Sequence, residues 1–160
     1  MDSRTVLRVL GAAAPNAVWL AGGWGIDALL GRQTREHRDL DLLHRLDEEE
    51  AVVAALAASG YRETLDLRPV RFVLSGGGTE LDLHPLVFAG DGSATQEADD
   101  EGAVFRYPAD CFVTGHVDGV EVPCVSVAQQ IFFHQGYEPR PHDLADMRHL
   151  RETFGVDTHF

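Results

Sequence analysis

The sequence predicts an α+β domain: strands and helices mixed in the first part, helices at the end. Three observations carry this. Residues 38–45 and 79–88 alternate acidic with apolar side chains, as half-buried strands do. Residues 47–60, DEEEAVVAALAASG, have the layout of a capped helix. After residue 126 two helical segments follow each other, parted by Pro139 and Pro141.

Taken in order, residues 3–14 suit a short helix that must end before Pro15. AVWLA, 17–21, is a buried strand stopped by Gly22-Gly23, and WGIDALLG, 24–31, is a short helix with Gly31 at its C-terminal end. RDLDLLHR is a strand. In the helix over 47–60, Asp47 is the expected N-cap, the glutamates occupy the first turn and Gly60 follows the end. YRETLDL, VRFVLSG and TELDLHPLVF are strands, the last preceded by the turn at Gly76–Gly78. GDGSATQEADDEG, 90–102, is polar and acidic and is expected to be a loop. Beyond it CFVTGHVDGVEVPCV forms strands with a hairpin signal at Asp118-Gly119. VAQQIFFHQGYE and HDLADMRHLRETFG are the two closing helices.

The 160 residues suit one domain, residues 1–160, with the loop at 90–102 as its best internal boundary. The chain holds 26 acidic residues against 13 basic ones, a net charge of −13, and all the basic residues are Arg. That balance opposes a nucleic-acid backbone as partner, because such binding draws on clustered positive charge. It suits a cationic small molecule or a metal-bound nucleotide. No apolar run approaches the roughly 20 residues of a membrane helix, and the N-terminal stretch lacks a signal-peptide layout, so the cytoplasm is the expected compartment. Cys111 and Cys124 form no disulfide framework. The histidines lack zinc-ligand spacing.

On a strand, alternate side chains share a face. Asp39 and Asp41 therefore face one way and Leu40 and Leu42 the other. In TELDLHPL, Glu80, Asp82 and His84 share a face opposite Leu81 and Leu83. If the two strands are neighbours, their carboxylates converge. Such a cluster costs stability unless a cation lies within it, and Mg²⁺ prefers carboxylate oxygens together with substrate phosphates. One Asp-x-Asp alone is more often a wet face than a metal site; the second acidic strand and the Gly-Gly pair are what raise it. Glycine allows close approach to a phosphate, and a helix start offers free N–H groups.

GGWGIDALLGRQTREHRDLDL followed by ELDLHP resembles the small antibiotic nucleotidyltransferases of the polymerase-β-like superfamily. The likeness is to the aminoglycoside 2''-nucleotidyltransferases and the lincosamide nucleotidyltransferases. It runs from about residue 16 to 153 and is weakest over 90–110. The resemblance implies a mixed twisted sheet with flanking helices and a helical C-terminal part. It divides the domain into a catalytic core of about 1–90 and an acceptor-side part of about 91–160.

The implied reaction transfers a nucleoside monophosphate, AMP from ATP or another NTP, to a hydroxyl of an antibiotic, releasing pyrophosphate. Asp39, Asp41 and Asp82 are the implied ligands of two Mg²⁺ ions, with Asp82 as ligand, base or both. Gly22 and Gly23 are the implied triphosphate contacts. Arg35 has two readings, a phosphate contact or an ion pair with Asp27. His37 is a nucleotide contact or a satisfied surface group. Trp24 stacks on ligand or packs. His84 shares the acidic face. His134, Tyr137 and Asp143 match the family's C-terminal pattern, in which Asp146 lies one helical turn beyond Asp143; the Lys often found before that aspartate is His142 here. The acidic loop residues Glu97, Asp99, Asp100 and Glu101 favour an aminoglycoside over a lincosamide as acceptor. Two other expectations stand beside this one: a transferase acting on a partner protein, as in toxin–antitoxin systems, or a relative that only binds nucleotide. A metal-dependent phosphohydrolase is a further runner-up. Monomer and homodimer are both left open.

Overall fold

The computed structural model describes residues 1–99 and 101–160. Asp100, one of the acidic loop residues, lies outside them. Helix α1 (Ser3–Ala13) is followed by β1 (Val18–Leu20), α2 (Gly22–Leu30) and β2 (Asp39–Arg45). Then come α3 (Glu49–Ala58), β3 (Arg62–Leu67), β4 (Arg71–Gly76) and β5 (Thr79–Phe88). A hairpin of β6 (Ala94–Glu97) and β7 (Val104–Tyr107) leads to a second hairpin, β8 (Phe112–Val117) and β9 (Val120–Val125). The chain closes with α4 (Val127–Phe133) and α5 (Pro141–Phe154).

The sheet runs β3-β4-β5-β2-β1-β9-β8. It is mixed: β2 is parallel to β5 and β1 to β9, while β1–β2, β3–β4, β4–β5 and β8–β9 are antiparallel. The β6–β7 hairpin hangs from the end of β5, where Val87 pairs with Thr95. One sheet face is apolar. Leu40, Leu42, Leu81, Leu83, Phe72 and Leu74 are buried there against Val6, Val9 and Ala13 of α1 and Val52 and Leu56 of α3. Fully burying such a side chain contributes roughly 1.5–3 kcal/mol, so this layer holds β2 and β5 in register. A second cluster joins Leu43, Leu86, Ala94, Tyr107 and Val125 around the base of the hairpin. In a third, Met147 and Leu150 of α5 pack on Ile26 of α2.

Helix ends follow local chemistry. Asp2 caps α1 by accepting the Thr5 N–H at 2.9 Å. Gly31 ends α2 in the left-handed conformation at φ 68°. Pro141 opens α5, and Asp143 at its third position accepts the Arg140 backbone N–H at 2.8 Å. The tight β8–β9 turn at Asp118-Gly119 has positive φ at both residues, 49° and 76°.

Three expectations change. Gly22 and Gly23 do not form a turn before a helix; they are its first two residues, and Ala21 is the N-cap. Asp47 is not an N-cap. A 3-10 turn, Leu46–Glu48, precedes α3, and Asp47 instead accepts Arg45 Nε at 3.0 Å. The stretch 90–102 is not all loop, because Ala94–Glu97 is a strand. Its Ala94 and Gln96 point inward, and β7 satisfies its backbone. Among the described residues no helix is long and apolar enough to cross a membrane.

Candidate active site

The parallel pairing of β2 and β5 sets Asp39 opposite Glu80 and Asp41 opposite Asp82. Because the partners are in register, the acidic faces of both strands point the same way, opposite the leucine layer. Possible ligand atoms of Asp41, Asp82 and His84 lie within 4.8 Å of one another. His84 Nε2 is 3.4 Å from Asp41 Oδ1 and 3.8 Å from Asp82 Oδ1. Asp39 is exposed at the start of β2 and stands outside this cluster.

Asp82 is the most constrained carboxylate. Its Oδ2 accepts Arg71 Nη1 at 2.7 Å, while its Oδ1 is buried without a hydrogen-bond partner. Burial pushes its pKa above the ordinary aspartate value; His84 and Arg71 oppose the shift, and Asp41 adds to it. A buried carboxylate oxygen with no partner, next to a second carboxylate, has the hard oxygen donors and the uncompensated charge that a divalent cation satisfies. The residues present therefore fit Mg²⁺.

The glycines bring α2 onto this cluster. Gly22 has φ 54°, and a Cβ there would lie 2.0 Å from Asp41 Oδ2. A Cβ at Gly23 would lie 2.4 Å from His37 Nδ1 and 2.7 Å from an Arg35 guanidinium nitrogen. Only glycine permits both the backbone conformation at 22 and these approaches. The first N–H groups of a helix have no intrahelical acceptor, so α2 presents free donors beside Asp41.

The segment between α2 and β2 is fastened from below. Asp27 is buried; its Oδ1 accepts Thr34 N at 3.1 Å and Thr34 Oγ1 at 2.6 Å, and its Oδ2 lies 2.5 Å from His37 Nε2. The His37 ring is buried and tilted on Trp24, with centroids 4.9 Å apart. Arg35 does not pair directly with Asp27. It reaches α5 and grips the buried Asp146, Nη2 to Oδ2 at 2.8 Å and Nε to Oδ1 at 3.2 Å. Trp24 is 2% exposed and packs in the core. Asp27, His37 and Trp24 are thus held by the protein, while Arg35 keeps an exposed edge near Gly23.

A cavity of about 190 Å³ opens beside Gly22 and Asp41. Leu43, Phe105, Tyr107 and Phe133 form its apolar wall, and His84, Gln96, Gln130 and His134 its polar one. His134 Nδ1 is tied to the Gln130 carbonyl at 2.7 Å. Both side-chain amide atoms of Gln130 are buried without a partner. Tyr137 is exposed and lies edge-on to Phe160, and Asp143 is buried at its cap. Neither lines the cavity. Burial works against ionised Asp143, but the Arg140 N–H and guanidinium outweigh it and hold the carboxyl below its ordinary value.

Sequence reasoning missed Gln96, Phe105, Tyr107, Gln130 and Arg71. Gln96 falls in the stretch expected to be a loop. The others are polar or aromatic residues on short elements, with no spacing that sets them apart.

The chain is similar to known proteins over most of its length. The sequence profile of the aminoglycoside-2''-adenylyltransferase family matches residues 4–150. A lincosamide resistance protein of Staphylococcus haemolyticus is 36% identical over 134 residues, 83% of each chain. A 2''-aminoglycoside nucleotidyltransferase of Escherichia coli is 36% identical over 104 residues, 59% of this chain and 56% of that protein. Among solved structures, the lincomycin-bound lincosamide antibiotic adenylyltransferase LnuA superposes with a TM-score of 0.80 at 32% identity, covering 93% of this chain and 94% of that one. ANT(2")-Ia in complex with adenylyl-2"-tobramycin superposes at 0.76 and 23% identity, covering 96% and 89%, a likeness of fold. The chain belongs to the aminoglycoside-2''-adenylyltransferase family and is a nucleotidyltransferase.

Proposed function

We propose that the protein transfers AMP from ATP to a hydroxyl of a small antibiotic and releases pyrophosphate. The observation that carries this is the pairing of Asp41 with Asp82 at one register position, beside the glycine start of α2. Asp39, Asp41 and Asp82 would hold Mg²⁺. The ion, when bound, offsets charge on the triphosphate and on the attacking and leaving oxygens.

The chain's own groups do the rest. The N–H groups at Gly22 and Gly23 bind phosphate oxygens at the helix start. Arg35, held by Asp146, presents its exposed edge to the same phosphates. The acceptor hydroxyl oxygen attacks the α-phosphorus, and the bond to the bridging oxygen of the β-phosphate breaks. The hydroxyl proton passes to a carboxylate oxygen of Asp82. His37, Asp27 and Trp24 support the glycines from beneath. The part from about residue 91 supplies the acceptor side, through Phe105, Tyr107, Phe133 and His134. Tyr137 and Asp143 stay outside the cavity, and Asp143 acts through the start of α5, which it caps. In the reducing cytoplasm the buried thiols of Cys111 and Cys124 stay unpaired.

For the acceptor we favour a lincosamide. The lincosamide resistance protein matches across 83% of both chains, and Leu43, Phe105, Tyr107 and Phe133 give the cavity one apolar wall. An aminoglycoside is the second reading, favoured by the net charge of −13. Incubation with ATP, Mg²⁺ and a panel of both drug classes decides. The expected result is pyrophosphate release with a gain of one AMP in the mass of a lincosamide. Gain on aminoglycosides alone selects the second reading. No gain on any drug overturns both, and labelling of a co-purified protein instead supports a partner-protein substrate.

A further inference from the structure

We propose that Gln96 is a positioning residue: it fixes His84 as the Nε2–H tautomer, so that His84 donates to Asp41 and stands outside the metal's ligand set. The tautomer stands on the hydrogen bonds alone; only its consequence for Asp41 rests on the function proposed above.

Gln96 comes from β6 and is buried. Its Nε2 lies 3.3 Å from the Val70 carbonyl oxygen and 3.1 Å from His84 Nδ1. Its Oε1 accepts the Tyr107 hydroxyl at 2.6 Å. The two ends of a glutamine amide are told apart by their partners. Here one partner settles the question. A backbone carbonyl can only accept, so the atom facing Val70 is the NH₂ group; the flipped amide would set two carbonyl oxygens against each other. Tyr107 agrees, because burial keeps its phenol protonated and able to donate to Oε1.

The NH₂ group of Gln96 also faces His84 Nδ1, so that nitrogen must accept and carries no proton. In a neutral imidazole the proton is then on Nε2. Nε2 points at Asp41 Oδ1. An N–H in that place has no lone pair to give a cation. A metal-ligating histidine commonly donates its other ring N–H to a carboxylate or carbonyl. His84 shows the reverse, with its other nitrogen facing a donor. Its proximity to Asp41 and Asp82 therefore marks a donor that orients a carboxylate. Asp41 is held on two sides: Oδ1 towards His84, and Oδ2 over Gly22. The β6–β7 hairpin thus reaches the catalytic strands through Gln96, with Tyr107 and Val70 as its fixed ends.

The test reads the tautomer directly. Long-range ¹H–¹⁵N correlation on the uniformly labelled protein, at about pH 8 and thus above the usual histidine range, gives the protonation of each ring nitrogen. His84 signals are those lost in His84→Gln. The expected spectrum shows Nε2 protonated and Nδ1 bare, and it keeps the Nε2 proton when Mg²⁺ is added. In Gln96→Glu an acceptor faces Nδ1 in place of the donor, and Nδ1 is expected to gain a proton. An Nδ1–H tautomer in the unmodified protein, loss of the Nε2 proton to Mg²⁺, or an unchanged spectrum in Gln96→Glu overturns the inference. For transfer activity, Gln96→Glu is expected to lower kcat by about 10–100-fold, as loss of an orienting partner does, with KM for ATP little changed. Because the tautomer is first read without metal, nucleotide or drug, a failure of the transfer reaction and a failure of this inference are separate results.

Discussion

Asp27 Oδ2 and His37 Nε2 lie 2.5 Å apart in the interior, and this contact closes the segment that carries Arg35 past Gly23. The same carboxylate takes both the N–H and the hydroxyl of Thr34. Asp27→Ala would leave the buried His37 unpaired and the half-buried Thr34 donors without their acceptor. Each such group costs about 1–3 kcal/mol. Urea unfolding should therefore show a large fall in the midpoint. Transfer activity should fall as well, since Arg35 and His37 lose their support beside the glycines. An unchanged midpoint would refute the structural role.

Asp41 makes the opposite demand on the fold. It faces Asp82 across one parallel register position, and like charges at such a site repel. Asp41→Asn keeps an oxygen to accept from His84 but removes the charge. Transfer should fall by roughly a thousandfold, equivalent to about 4 kcal/mol of transition-state stabilisation. The melting temperature should stay level or rise. Thermal unfolding and a pyrophosphate assay on the same preparation check both halves. A variant that melts lower while keeping its activity would refute the assignment.

The contrast between these two aspartates shows how far the sequence can be read. Asp39, Asp41, Asp82 and His84 were legible because a period of two separates them from Leu40, Leu42, Leu81 and Leu83, and that period is local. Gly31 and Asp118-Gly119 were legible because a left-handed backbone selects few residue types. Asp27 could not be given its partner. The sequence offered Arg35 as that partner, but Arg35 pairs with Asp146 on α5 and Asp27 takes His37 and Thr34 instead. Gln96 was hidden for another reason. Its strand is four residues long and edged by polar side chains, so alternation had no length in which to appear. Its value arises only when β6, β7 and the β3–β4 turn meet. Asp47 misled because its carboxylate had a nearer use, the Arg45 guanidinium.

His44 gives a pH dependence that is separate from catalysis. It is fully buried on β2, with Nε2 3.1 Å from Glu49 Oε2 and its ring edge-on to Phe72. Burial lowers its pKa below the ordinary 6.5, and Glu49 opposes this without overcoming it. Between the lowered folded value and 6.5, the unfolded chain binds a proton that the folded chain refuses. Stability from this residue is thus complete above that window and is lost as pH falls through it. The slope is at most about 1.4 kcal/mol per pH unit. Urea unfolding from pH 7.5 down to 5 should show the decline, and His44→Leu should flatten it. Equal slopes in both proteins would exclude His44 as the source.

Gly22 joins backbone conformation to chemistry, and a paired substitution separates the two. Gly31 at φ 68° has nothing within 4 Å of a Cβ position, so Gly31→Ala meets only the left-handed backbone cost, about 1–2 kcal/mol. Gly22→Ala meets a similar cost at φ 54°, and its methyl would lie 2.0 Å from Asp41 Oδ2. Either Asp41 rotates away from His84 or the start of α2 lifts off β2. Gly22→Ala should therefore lose both stability and nearly all transfer activity, whereas Gly31→Ala should lose stability alone. Gly23→Ala completes the set. It carries no positive-φ cost, but its methyl would meet His37 Nδ1 at 2.4 Å, and Asp27 keeps that ring from moving. Melting curves and AMP transfer on the three variants check this. Full activity in Gly22→Ala would show that the helix start need not lie against Asp41 for phosphate to bind.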